Sequence, residues 1–219
     1  MAKTPEAHAK DRILDAAETV FAERGFEGAS LRNIVREAGV NLATVYYYFH
    51  SKEGLMAAVF QRRFEPLRQE HREQLQQLET VARGKPLAIE RILEAMLNPP
   101  LRLASTDTKH KRSVVRLMGR IVSEPNPQTQ QLLRSQHLHI REAYLAAMRR
   151  SVPHLPESDL QWRFEFVWGA LAFVLCNPGK LETMTGGRCN PADTQEVLRQ
   201  MVTFFSAGFR APASARSKR

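Results

Sequence analysis

The chain has 219 residues, 43% of them hydrophobic and 25% charged, a balance that suits a soluble globular protein of one large domain or two small ones. No apolar run approaches the roughly 20 residues of a membrane helix, and the opening MAKTPEAHAK lacks a secretory apolar segment, so a cytoplasmic protein is expected. A net charge of +9 suggests nucleic acid, but residues 1–55 hold seven Lys/Arg against eight Asp/Glu, so individual side chains rather than bulk charge must identify a binding surface there.

Apolar residues recur at 3.6-type spacing and do not alternate with period two, which predicts an all-α protein of about nine helices. The first helix runs over 5–24, opened by Thr4 as N-cap and Pro5 as N1. It has Ile13, Leu14, Ala17, Val20 and Phe21 on one face, and Gly25 supplies a left-handed terminus. Ser30 caps a short second helix with Leu31, Ile34, Val35 and Ala38 inward, and Gly39 ends it. Val40 reads as a buried turn residue, Asn41 as the cap of a third helix of about two turns, and Ser51 as the cap of a fourth that starts at Lys52. Pro66 is expected to kink or divide that fourth helix.

Gly84-Lys85-Pro86 breaks the chain. The next helix is expected to stop near Leu97, where Asn98-Pro99-Pro100 interrupts, and residues 105–111 read as a mobile loop. Further helices are predicted near 111–123, 127–150, 157–176 and 192–209, with Asn126-Pro127 and Asn190-Pro191 as start signals. The stretch NPGKLETMTGGRCNP reads as a break, and APASARSKR, 211–219, as a disordered basic tail. These elements divide into an N-terminal three-helix domain, 1–55, and a larger C-terminal domain, 56–210. The boundary falls inside or just after the fourth helix.

Residues 30–49 have the form helix, glycine-containing turn, helix, the helix-turn-helix geometry. Within TVYYYFHSKEGL, Thr44 to Leu55, three consecutive tyrosines sweep more than half the circumference of a helix and cannot all face one core. With Val45, Phe49 and Leu42 on the core side, Tyr47 points directly away. Ala43 and Thr44 share its face, and Tyr46 and Tyr48 flank it. Small residues permit close approach of another surface, phenol hydroxyls can donate to phosphate oxygens, and rings and the Thr44 methyl can meet thymine methyls or sugars. Lys52 stands in the first turn of the next helix, unfavourable for a cation unless an anion such as phosphate binds there. The plainer alternative is ordinary amphipathic packing with Lys52 solvated.

The segment RILDAAETVFAERGFEGASLRNIVREAGVNLATVYYYFHSKEGL, Arg12 to Leu55, resembles the DNA-binding domain of the tetracycline-repressor (TetR) family. The resemblance lies in the Ala-Ala and Phe of the first helix, the Gly-Phe turn, SLRNIVREAGV, and above all the aromatic-rich ending before Ser-Lys-Glu-Gly-Leu. It implies that Ser30, Arg32, Asn41, Ala43, Thr44, Tyr46, Tyr47, Tyr48 and Lys52 occupy DNA-contacting positions on an operator. Among these, Tyr46 and Lys52 would meet phosphates, and Ala43 and Tyr48 bases. His50 stands where the family varies.

The segment 160–176, LQWRFEFVWGALAFVLC, is apolar nearly all round, which indicates burial on two sides. A domain of this size has little reason to enclose it and the final helix completely, so both are expected to form a four-helix interface in a homodimer. The expected interface residues are Trp162, Phe166, Gly169, Ala170, Phe173, Val197, Met201, Phe204 and Phe205. The resemblance implies the same dimer. It also implies a small-molecule effector cavity in this half, with candidates Met96, Leu103, Leu117, Met118, Ile121, Tyr144, Trp168 and Phe173; for each, the alternative is core packing. Arg112, Arg116 and Arg120 form one helical stripe, either a solvated face or an anion contact. The phrases GALAFVL, NPGKLE, GGRCNPADT and GFRAP resemble a TetR subgroup that includes regulators of fatty-acid metabolism, implying a fatty acid or acyl-CoA as effector.

The sequence thus points to a dimeric DNA-binding regulator, a repressor released by a small molecule. The alternative is a ligand-independent DNA-binding or architectural module. An enzyme is not expected: GxSxG, GKS/GKT, GxGxxG and HExxH are missing, and His137 and His139 are two apart, pointing to different faces of a helix. No cofactor, metal or membrane partner is expected. Cys176 and Cys189 lack CxxC spacing and read as reduced thiols.

Overall fold

A computed structural model of the chain describes residues 5–105 and 127–214; the helix expected near 111–123 lies outside them. Among the described residues there are nine α-helices and no strand: α1 Pro5–Gly28, α2 Leu31–Ala38, α3 Leu42–Phe49, α4 Lys52–Ala82, α5 Ile89–Ser105, α6 Pro127–Ser151, α7 Glu157–Cys176, α8 Pro178–Met184 and α9 Thr194–Arg210. None of the described helices is long and apolar enough to cross a membrane. The chain divides into two compact units, which part between Pro66 and Leu67 inside α4 and between Gln136 and His137 inside α6.

In the first unit, α1 buries the face expected of it: Ile13, Ala17 and Phe21 are wholly enclosed, and Leu14 and Val20 nearly so. Gly25, at φ 71 and ψ 179, leaves helical geometry, so the last turn of α1 follows a bend there. The Ser30 hydroxyl accepts from the Asn33 N–H and caps α2, and Gly39, at φ 62 and ψ 42, ends it in the left-handed conformation. The Asn41 side chain accepts from the Thr44 N–H and caps α3. Helices this short are unstable alone. Burial of Ile34 and Ala38 from α2 and of Val45 and Phe49 from α3 holds them, each large side chain contributing about 2 kcal/mol. Leu42 departs from expectation: it is 38% exposed. At the first helical position its Cβ tilts back past the end of the helix, away from the Val45–Phe49 stripe. Val40 is only half-buried.

Glu18 of α1, also in this unit, is buried, and its carboxylate accepts from Arg63 Nε and, at 3.3 Å, from Arg62 Nη2 of α4. Arg62 also pairs with Asp15 at 2.8 Å. Two cations and two carboxylates thus fasten α4 to α1, the buried charge being tolerable because it is paired.

Prolines inside two helices do not end them. Pro66, at the edge of the first unit, lies inside α4 without dividing it, and in the second unit α5 runs past the expected stop near Leu97, through Pro99 and Pro100, to Ser105. A helical proline has no N–H for the carbonyl four residues back, which for Pro99 is that of Ala95. The buried Tyr144 hydroxyl of α6 donates to the Ala95 oxygen at 3.0 Å, replacing the missing bond from another helix. Two further expectations need correction. Pro178–Met184 is a short helix inside the stretch read as a break, with Pro178 at its start. Asn190 does not begin α9: its side chain accepts from the Ala192 N–H in a local turn, and Asp193 is the cap, accepting from the Glu196 N–H. Helix α9 packs on α5 and α7, burying Met201, Val202, Ser206 and Phe209. Of the tail read as 211–219, Ala211 and Pro212 accept hydrogen bonds from Arg163, the Ser214 N–H donates to Asp159, and 215–219 lie outside the described residues.

Candidate nucleic-acid interface

Helix α3 is anchored on one side and bare on the other. Val45 is fully buried and Phe49 5% exposed, whereas Tyr47 is 75% and Tyr46 49% exposed. Ala43 is exposed, and Thr44 and Tyr48 are half-buried. The Tyr47 and Tyr48 rings meet edge to face at 5.0 Å between centroids, so Tyr48 supports the outward ring. Polar atoms beside the tyrosines are already ordered: Asn41 Oδ1 accepts both the N–H and the hydroxyl of Thr44, at 2.8 and 2.7 Å. That leaves the Asn41 amide N–H groups directed away from the cap. Ser30 and Arg32 are exposed at the start of α2.

The turn after α3 is tight. His50 adopts φ 63 and ψ −36, its N–H donates to the Tyr46 carbonyl at 3.0 Å, and the Ser51 N–H reaches the Phe49 carbonyl at 2.7 Å. The Phe49–Ser51 bond closes a γ-turn centred on His50, a strained form. The Ser51 hydroxyl accepts from the Gly54 N–H and caps α4. A Cβ on Gly54 would lie 2.1 Å from the Phe49 carbonyl oxygen, so the backbone approach there admits only glycine. Glu53, in the first turn, has its carboxyl held below the ordinary range by the backbone N–H and the Ser51 hydroxyl. Lys52 has a partner the sequence did not disclose: its Nζ lies 4.4 Å from the centre of the Phe26 ring. A cation–π contact of that length contributes about 0.5–1 kcal/mol at an exposed site and aims the ammonium.

Chemically, this surface offers phenol hydroxyls, one ammonium, an arginine and small side chains on a short projecting helix. It has the donors needed for phosphate oxygens and the apolar edges needed for a groove.

The expected effector residues are divided. Met96 and Tyr144 are buried, Leu103 and Trp168 half-buried, and Phe173 is 40% exposed. Arg116, Leu117, Met118, Arg120 and Ile121 lie outside the described residues, as does Arg112. The Tyr144 hydroxyl, besides donating to Ala95, lies 3.3 Å from His71 Nδ1. Burial pushes this phenol's pKa up, with the Glu70 charge adding to the effect, so it remains a donor. Sequence reasoning missed His71 and Arg68, both buried on α4. The signal for His71 was its place on the apolar stripe of Phe64, Leu67 and Leu75. Of the expected dimer residues, Trp162 is 65%, Phe166 57% and Phe204 73% exposed; Gly169 is exposed and Ala170, Val197 and Phe205 half-buried. Met201 is buried within its own chain. Cys176 is half-buried with its thiol pKa raised by burial, and Cys189 is exposed.

Two family descriptions match the chain: "Bacterial regulatory proteins, tetR family" over residues 13–59, and "Tetracyclin repressor-like, C-terminal domain" over 94–208. The HTH-type transcriptional regulator UidR of Escherichia coli (strain K12) is 27% identical over 140 residues, 64% of each chain. The chain spans less than two thirds of the length of the curated relatives it matches. Among solved structures, the hemolysin II transcriptional regulator HlyIIR aligns with TM-score 0.60 at 18% identity, covering 91% of this chain and 97% of its own. The fatty acid degradation regulator FadR from Bacillus halodurans aligns with TM-score 0.56 at 20% identity, covering 96% and 99%. These likenesses establish the fold.

Proposed function

Because the chain belongs to the tetracycline-repressor family of bacterial transcriptional regulators, we propose that it is a cytoplasmic homodimeric repressor. It holds a pseudo-palindromic operator with α3 and releases it when a small molecule binds. The observation that carries this reading is the two-sidedness of α3: Val45 and Phe49 lock it to its unit while Tyr47 stands 75% exposed. Ser30, Arg32, Asn41, Ala43, Thr44, Tyr46, Tyr47, Tyr48 and Lys52 form the DNA surface. Residues 1–55 act as the DNA-binding domain and 56–210 as the effector and dimerisation domain, with 211–219 as a basic tail.

In the dimer, the exposed aromatics Trp162, Phe166, Phe173 and Phe204 meet a second copy, and two α3 helices enter successive major grooves about 34 Å apart. The effector releases DNA only insofar as it binds better to a state whose α3 spacing no longer fits. Its proposed class is an apolar acid, a fatty acid or acyl-CoA. The fold likeness to FadR, whose printed description names fatty acid degradation, agrees with that class. A second reading, a DNA-binding module without an effector, is favoured by the burial of Met96 and the satisfied Tyr144.

Selection of bound fragments from random duplexes tests the first part. Enrichment of a two-fold related sequence is expected, and recovery of no preferred sequence would contradict it. A thermal-shift series with fatty acids and acyl-CoAs tests the second, since a bound ligand raises the melting temperature by mass action. Release of the selected DNA by the stabilising compound is expected, and no shift with any of them favours the effector-free module.

A further inference from the structure

Arg163 of α7, with its side chain 15% exposed, joins α7 to the end of α9. Its Nη1 donates to the carbonyls of Gly208 at 2.6 Å, Ala211 at 2.8 Å and, more weakly, Phe209 at 3.4 Å. Its Nη2 donates to the Pro212 carbonyl at 2.7 Å. The last carbonyls of a helix lack intrahelical donors and carry the negative end of the dipole. A guanidinium there answers both needs, and its planar fork spans several carbonyls as an ammonium does not. One turn earlier on α7, Asp159 lies 3.7 Å from the same guanidinium and accepts from the Ser214 N–H at 2.6 Å. The backbone hydrogen bond from Ser214 is the main influence holding that carboxyl below the ordinary range.

The two helices thus joined carry the exposed aromatics described for the second unit, Trp162, Phe166, Phe173 and Phe204. Trp162 and Phe166 on α7 have ring centres 5.7 Å apart, and Phe204 stands on α9 one turn before the clamped carbonyls. We propose that Arg163 is the positioning residue of the dimer face: it fixes the end of α9 against α7 so that both aromatic rows present one surface to a second copy. This rests on the dimer reading above. Arg163 itself need not touch the partner; it acts through the carbonyls of residues 208–212.

Sedimentation velocity over a protein concentration series tests the proposal with wild type, Arg163→Met, Arg163→Lys and Asp159→Asn. Wild type is expected to sediment as a dimer. Arg163→Met is expected to dissociate about tenfold more readily or worse, as befits loss of several charge-assisted bonds. Arg163→Lys, which keeps the charge and tests the clamp should the methionine variant not fold, is expected to weaken the dimer as well. Asp159→Asn loosens Ser214 and removes the carboxylate beside the guanidinium but leaves the four carbonyl contacts, and is expected to weaken the dimer less than Arg163→Met. A wild-type dimer with an equally tight Arg163→Met or Arg163→Lys dimer overturns the proposal, even if the melting temperature falls, because the arginine would then be a local helix cap alone. A weakening in Asp159→Asn as large as that in Arg163→Met also overturns it, because the carbonyl clamp would then add nothing. A monomeric wild type overturns the dimer reading and this inference together.

Discussion

Tyr144 shows how much one hydroxyl can carry. It lets α5 continue through Pro99 by donating to the Ala95 carbonyl at 3.0 Å. Tyr144→Phe keeps the ring and strands that carbonyl, so an expected loss of about 1–3 kcal/mol follows, read as a lower urea midpoint at unchanged slope. Glu157 gives a second residue-scale expectation. Arg149 grips it through Nε and Nη2 at 2.9 and 2.8 Å, and these bonds, with Gln161 adding, hold its carboxyl down at about 2 against an ordinary 4.5. A carboxyl acidified by folding contributes stability that is present above about pH 4.5 and lost as pH falls towards 2. Because the pair is exposed, solvent screening keeps the contribution small. Urea stability of wild type and Glu157→Gln is therefore expected to differ at pH 7 and to converge near pH 2; a gap that persists at the low end would contradict the assignment.

At the scale of elements, the α3–α4 turn has no room for a side chain at Gly54. Gly54→Ala drives a methyl to 2.1 Å from the Phe49 oxygen, which only a backbone shift can relieve. A loss of about 2–3 kcal/mol is expected, together with weakened DNA binding, because the same shift moves the end of α3. Thermal unfolding and a gel shift measure the two effects. The elements of this unit were legible in the sequence because each signal is local: Ser30 and Asn41 cap, Gly39 turns left-handed, and Val45 and Phe49 share a stripe. What escaped were effects of distant partners. Asn98-Pro99-Pro100 reads as a stop until Tyr144, far along the chain, supplies a donor. Lys52 reads as an unpaired cation until Phe26 folds beneath it. His71 is a polar letter whose burial depends on helices the sequence does not place. Leu42 fell on the core stripe by angle alone, but a stripe drawn on a helical wheel ignores where the helix begins.

For the whole molecule, a net charge of +9 would aid attraction to the proposed operator without selecting a face; with the first 55 residues near neutral, the proposal assigns that role to α3. The outward tyrosine, Tyr47, carries the proposed DNA contact. The direct measurement is fluorescence-anisotropy binding of wild type and Tyr47→Ala to the selected operator and to a scrambled duplex, at several salt concentrations, with dimer mass checked in parallel. The account predicts that wild type prefers the operator, that binding weakens as salt rises, and that Tyr47→Ala loses about tenfold or more on the operator while its mass is unchanged. Equal operator affinity for the two proteins across the salt series would contradict it.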